Sequence, residues 1–107
     1  MKDNNYILIQ GWMINSLGLT KLKDVTCFAI IYGFCQDGNS EFKGSINYLS
    51  DLMLCSRNTV IRILDNLVQS GLILKRLENV SNVTFCRYSI NEQVVSKLVT
   101  PSAILGL

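Results

Sequence analysis

Residues 45–71 read SINYLSDLMLCSRNTVIRILDNLVQSG. In the first half Ile46, Leu49, Leu52 and Met53 recur at i, i+3, i+6 and i+7, one apolar stripe that ends near Leu54-Cys55. In the second half Val60, Ile63, Leu64, Leu67 and Val68 form another stripe on a period of about 3.6 residues. Ser45 and Ser56 stand where N-caps belong, each with a hydroxyl able to accept from the free N–H groups of the turn that follows. Gly71 stands just past the last periodic residue, where a left-handed C-cap is cheap for glycine. The spacing therefore predicts two short amphipathic helices joined by a tight turn.

Projected at about 100° per residue, the second helix places Asn58, Arg62, Asp65 and Gln69 opposite its apolar stripe, with Arg57 and Thr59 flanking at the N-terminal end. These residue types suit a DNA major groove: Arg reads guanine bidentately, Asn and Gln read adenine, and Thr can meet a thymine methyl or a phosphate. The free N–H groups of the first turn add a modest attraction for phosphate. Any two-helix corner shows the same periodicity, however, and Arg62 could simply meet Asp65 or Asn66 on a wet surface, where such contacts contribute only about 0.3–0.5 kcal/mol.

The next residues strengthen the DNA reading. After Gly71 come two β-favouring runs, Leu72 to Leu77 and Val83 to Ile90, flanking the turn-rich Glu78-Asn79-Val80-Ser81-Asn82. Val83, Phe85, Arg87 and Ser89 alternate with Thr84, Cys86, Tyr88 and Ile90, so one face of the second arm can pack on helices while the other carries Arg87 to solvent. A hairpin directly after a recognition helix is the wing of a winged helix. Lys75, Arg76 and Arg87 are its candidate phosphate contacts, with Asn79, Ser81 and Asn82 at the tip. The alternative is a solvated hairpin with ordinary surface cations.

The chain resembles the winged-helix domains of bacterial phage and mobile-element proteins, including the N-terminal domains of replication initiators and replisome organisers. The resemblance is carried by GWMINSLGL (Gly11 to Leu19), by AIIYGFCQDGNSEFKGSINYLSDLMLCSRNTVIRILDNLVQSGLI (Ala29 to Ile73) and by the hairpin, and covers most of residues 6–90. It implies an α+β winged helix-turn-helix with a helical core and a C-terminal hairpin wing, and it supports Ser56, Arg57, Asn58, Thr59 and Arg62 as the DNA-contact set. One departure stands out: Ile61 occupies a place where many relatives carry Lys or Arg.

A length of 107 residues fits one domain, with the helix-turn-helix at 45–71, the wing at 72–90 and a C-terminal helix and tail at 91–107. A hydrophobic fraction of 49% against 17% charged residues describes a globular chain. No apolar run approaches the roughly 18 residues needed to span a bilayer, and MKDNNY lacks the basic-then-apolar order of a secretory signal. The expected location is cytoplasmic, away from membranes.

Net charge is only +2, low for a nucleic-acid binder. Its distribution is uneven: Lys43, Arg57, Arg62, Lys75, Arg76 and Arg87 against Asp51, Asp65 and Glu78 give residues 43–87 a charge of +3, and the remainder −1. A monomer with about four usable phosphate contacts would bind weakly with a shallow salt slope. A homodimer would correct this by presenting two recognition helices to half-sites about one helical turn apart.

Four cysteines, Cys27, Cys35, Cys55 and Cys86, form no C-x-x-C pair, and the chain has no histidine, which argues against structural zinc. Each lies in an apolar segment and is expected to be a reduced, buried hydrophobe; a redox sensor would need one of them exposed with a lowered pKa. Without histidine the commonest general base is absent, the carboxylates are scattered singly, and the glycines form no phosphate loop. The sequence thus points to no enzyme, no cofactor and no metal.

Upstream, Tyr6 to Gln10 reads as a short strand, Trp12 to Leu17 as a brief helix anchored by Trp12 and Met13, and about Lys21 to Gln36 as a longer helix with Thr20 as candidate cap. The run CFAIIYGFC is apolar nearly all round, which means burial on several sides or a surface for association. Asp37-Gly38-Asn39 should end that helix, and Glu41 to Lys43 can lend a short strand beside the wing. Pro101 is expected to separate a short helix, Glu92 to Val99, from the apolar tail SAILGL. Self-association through the terminal segments is expected, with Trp12, Met13, Ile104 and Leu105 contributing. Three functions are compatible with these features: a sequence-specific DNA binder in mobile-element replication or transcription control, a winged helix that grips only another protein, such as a further replication or regulatory protein, and a redox- or small-molecule-sensing regulator.

Overall fold

The computed structural model describes residues 7–36 and 41–105, with side chains as far as residue 99. Among the described residues five helices and a hairpin follow one another: α1 (Gly11–Asn15), α2 (Leu22–Gln36), α3 (Ile46–Met53), α4 (Arg57–Gln69), β1 (Ile73–Val80), β2 (Val83–Ile90) and α5 (Glu92–Leu105). Helix α2 is the axis of the core. Its apolar circumference is used on several sides, since α1, α3, α4 and β2 all pack against it and Val25, Cys27, Phe28, Ala29, Ile30 and Ile31 are buried. The expectation of burial on several sides therefore holds.

Both predicted N-caps form. Ser45 Oγ accepts from the Tyr48 N–H at 3.0 Å and Ser56 Oγ from the Thr59 N–H at 3.1 Å. At the end of α4, Gly71 adopts φ +81°, the Gly71 N–H donates to the Val68 carbonyl and the Leu72 N–H to the Leu67 carbonyl. These paired bonds satisfy the last carbonyls of the helix and turn the chain into β1, with Leu67 and Leu72 both buried at the junction. Helix α3 ends on a left-handed residue that is not glycine: Leu54 has φ 55° and ψ 47°, with its side chain 88% exposed.

The hairpin is longer than its sequence suggests. Strand β1 runs to Val80, and the turn is only Ser81-Asn82, both with positive φ. A two-residue turn of this hand matches the twist of its strands, so Glu78 and Asn79 pair with Phe85 and Thr84 instead of forming the loop. Phe42 makes an isolated bridge to Tyr88 on the outer side of β2, a single-residue third strand at the place where Glu41 to Lys43 was expected to lie.

Four further expectations are corrected. Residues 7–10 are irregular, with Ile7 and Ile9 packing on the core in place of a strand. The brief helix spans Gly11–Asn15 and stops short of Leu17. The first backbone bond of α2 runs from the Val25 N–H to the Lys21 carbonyl, which puts Lys21 and not Thr20 at the cap position. Helix α5 continues through Pro101 to Leu105; proline's fixed φ is helical, and the cost falls on the Lys97 carbonyl, which loses its i+4 donor. The predicted turn Asp37-Gly38-Asn39 lies outside the described residues.

The terminal self-association surface also changes. Met13 is wholly buried in its own core. Trp12 is half-buried, edge-on to Phe28 and Tyr32 with centroids at 5.9 and 5.2 Å, and its indole N–H donates to Gln10 Oε1. Both residues are occupied within the monomer because α1 uses them to cover α2. The side chains of Ile104 and Leu105 lie outside the described residues.

Candidate nucleic-acid interface

Helix α4 buries Val60, Ile63, Leu64 and Leu67 against the core and leaves Arg57, Asn58, Ile61, Arg62, Asp65, Asn66 and Gln69 exposed. The projected face is therefore the solvent face. Arg57, Asn58, Ile61 and Arg62 occupy adjacent positions over its first two turns, and no ion pair among the described residues engages Arg57 or Arg62. The surface pairing of Arg62 with Asp65 or Asn66 considered above does not form.

The first turn has a fixed hydroxyl arrangement. Ser56 Oγ accepts from the Thr59 N–H and donates its proton to Thr59 Oγ1 at 2.9 Å. Thr59 keeps its own hydroxyl proton for an outside acceptor, whereas Ser56 has none left. The Arg57 and Asn58 N–H groups, which have no carbonyl four residues earlier within the helix, point outward from its positive end.

In the hairpin the predicted cations divide. Lys75 is exposed, and it stands opposite Tyr88 on the face that packs toward the helices. Arg76 and Arg87 face each other on the opposite side and are tied into a neutral cluster. Arg76 donates bidentately to Glu41, Nε to Oε2 and Nη2 to Oε1, both at 2.8 Å, and lies 3.4 Å from Glu78. Arg87 Nε donates to Glu78 Oε1 at 2.8 Å, and its guanidinium lies over the Phe85 ring at 4.9 Å from the centroid.

The Arg87 side chain is only 14% exposed as a result, so the expectation that it projects freely to solvent is corrected. The hydrogen bond from Arg76 holds the Glu41 carboxyl below the ordinary carboxylate range, and that from Arg87 does the same for Glu78. Glu41 and Arg76 are 35 residues apart, and the Phe42 bridge brings them onto one sheet face. Ile61 is the contact candidate that sequence reasoning counted against the interface. Its place between Asn58 and Arg62 suits apolar contact with a thymine methyl.

The cysteines are less uniform than expected. Cys27 is fully buried, and burial pushes its thiol up to about 12. Cys35 is half-buried and also raised, chiefly by burial, while Cys55 and Cys86 are half-buried against the core. Among the described residues no cluster of His, Cys, Asp or Glu could hold a metal ion, and no helix is long and apolar enough to cross a membrane.

With two capped helices at a tight turn and a hairpin directly after the second, the arrangement can be compared with known proteins. Residues 28–73 match a helix-turn-helix domain family. The helix-turn-helix match starts within α2, contains α3 and α4, and ends at the first residue of β1. The structure is similar to that of a protein described as a possible transcriptional regulator from Methanosarcina mazei Go1, with 19% identity, a TM-score of 0.55, and coverage of 86% of this chain and 77% of that one. No curated protein matches the sequence significantly. The helix-turn-helix and its hairpin make the chain a winged helix of the α+β class.

Proposed function

We propose that the protein binds double-stranded DNA, laying the N-terminal half of α4 in the major groove, and serves replication or transcription control in a phage or mobile element. The observation that carries this reading is the contrast between its arginines. Arg76 and Arg87 are neutralised by Glu41 and Glu78, whereas Arg57 and Arg62 are exposed without an acidic partner among the described residues. Arg57, Asn58 and Arg62 reach base edges, with Ile61 toward a thymine methyl. Thr59 and the first N–H groups of α4 hold an adjacent phosphate. Ser56 acts by fixing that turn, Lys75 makes the wing's phosphate contact, and Arg76 and Arg87 shape the wing.

Three cations at the interface bound the salt slope at about −2.7 per bound monomer, or a loss of about 40-fold in affinity between 50 and 200 mM salt. Fluorescence anisotropy on a random-duplex pool and on the DNA upstream of its own gene measures both slope and preference. Arg62→Ala should cost about 1–3 kcal/mol and relax sequence preference, whereas Lys75→Ala should weaken all sequences alike. Unchanged affinity and preference in Arg62→Ala would refute the base-reading role.

A second reading, docking of another replication or regulatory protein, is favoured by one observation. Leu54, at the turn between α3 and α4, is 88% exposed, and Ile61 is exposed on α4. Duplex binding lost in Arg57→Ala/Arg62→Ala but kept in Leu54→Ser selects the DNA reading; absence of duplex binding at low salt selects the other.

A further inference from the structure

We propose that the free edge of β1 is a homodimer interface in which two copies pair antiparallel about Leu77, joining their wings into one sheet. The hydrogen-bond parity of the hairpin establishes that edge. Tyr88 spends both backbone groups on Phe42, donating to and accepting from it. It therefore does not bond across to its β1 partner Lys75, whose own N–H and C=O must point the other way. By the period of two, Ile73, Lys75, Leu77 and Asn79 all present their backbone groups to the outer edge, and among the described residues no backbone bond from outside the hairpin reaches them.

A strand edge is a template for another strand, and the side chains of β1 select which one. On one face the order is Leu74, Arg76, Glu78, Val80. Read against a second copy running antiparallel with Leu77 opposite Leu77, this becomes Leu74 facing Val80, Arg76 facing Glu78, Glu78 facing Arg76 and Val80 facing Leu74. The other face places Leu77, 63% exposed, against its own copy on the two-fold axis and Lys75 against Asn79. This arrangement is isologous, as a two-fold dimer requires.

Neighbouring registers that keep the hydrogen-bond parity are disfavoured. A shift of two residues one way puts Arg76 opposite Arg76, and the other way Glu78 opposite Glu78, like charges directly across a ladder. Arg76 and Glu78 keep capacity for the new pair, since Arg76 Nη1 and Glu78 Oε2 have no bond among the described residues. An eight-residue edge is smaller than a standard interface, which predicts weak, concentration-dependent association.

Sedimentation of the full chain from about 5 to 300 μM, a span suited to a weak interface, tests this. The wild type should pass from monomer to dimer, and Leu77→Lys, which puts two ammonium groups on the axis, should stay monomeric with an unchanged thermal melt. In a Cys86→Ala background, which removes the thiol directly opposite Leu77 in the hairpin, Leu77→Cys should give a covalent dimer on mild oxidation. Antiparallel hydrogen-bonded partners lie about 5.5 Å apart at Cα, within disulfide reach. Asn79→Cys in that background should not, because its partner is Lys75. Wild type that stays monomeric throughout, Leu77→Lys that still dimerises, or Asn79→Cys that cross-links as readily as Leu77→Cys would each overturn the proposal. None of these readouts involves DNA, so failure here leaves the DNA proposal standing.

Discussion

Replacing Leu54 with glycine should stabilise the protein although it deletes a large apolar side chain. Leu54 closes α3 in the left-handed region, at φ 55° and ψ 47°, a conformation that costs a residue with a Cβ roughly 1–2 kcal/mol. Glycine removes that strain but enlarges the entropy of the unfolded chain by about 0.4–1 kcal/mol. Because the leucine is 88% exposed, the burial lost is about a tenth of a full leucine, or about 0.3 kcal/mol. The balance is about 0.5 kcal/mol in favour of Leu54→Gly, a rise in Tm of about 2–4 °C for a domain of this size. Leu54→Asn, which tolerates the same region without glycine's entropy cost, should melt at least as high, and β-branched Leu54→Val lower than wild type. Thermal unfolding followed by circular dichroism gives the order directly. A glycine variant that melts below wild type would show that the leucine's position is set by contacts and not by strain, and would refute the reasoning.

Other outcomes follow from the same structure. Gly44→Ala should destabilise by about 1–3 kcal/mol in urea denaturation, because a Cβ there would stand 2.7 Å from Cε1 of the buried Phe42 ring, which Phe34 and Tyr48 hold in place; an unchanged midpoint would contradict this. Glu41 and Glu78 have folded-state pKa values below their unfolded ones, so their contribution is complete above the unfolded value of about 4.3 and is lost as pH falls through the folded value. Tm should drop between about pH 5 and 3, and drop less steeply in Glu41→Gln. Cys27, pushed up to about 12 by burial, should resist a thiol reagent at pH 8 until the protein unfolds, which mass mapping of modified peptides will show; above the ordinary thiol value of 9.0 the same burial favours unfolding.

Much of the architecture was legible because local chemistry and tertiary packing agree from Ser45 to Gly71. Two serine caps, the α4 stripe and a terminal glycine each act within a few residues and form as their spacing implies, whereas the α3 stripe buries Leu49 and Met53 but leaves Leu52 exposed. The hairpin was legible as an element but not in its length, because Glu78 and Asn79 are turn-favouring residues overruled by a turn at Ser81-Asn82 and by cross-strand pairing. The role of the wing arginines was hidden for another reason. Glu41 precedes Arg76 by 35 residues and reaches it beside the Phe42 bridge, a contact that no periodicity encodes. Gly44 was equally silent, since its requirement is set by one distant ring edge. Ile61 was visible as a departure from the resemblance, and its exposure on the outward face of α4 follows from the same periodicity that buries Val60 and Leu64.

The central claim is that the exposed face of α4 contacts the duplex, and amide chemical-shift mapping tests it most directly. Titrating the 15N-labelled protein with a short duplex at low salt should move the signals of Arg57, Asn58, Thr59, Ile61 and Arg62 first, with Lys75 following and Arg76 and Arg87 little affected. Shifts confined to the hairpin and absent from residues 57–62 would contradict the account.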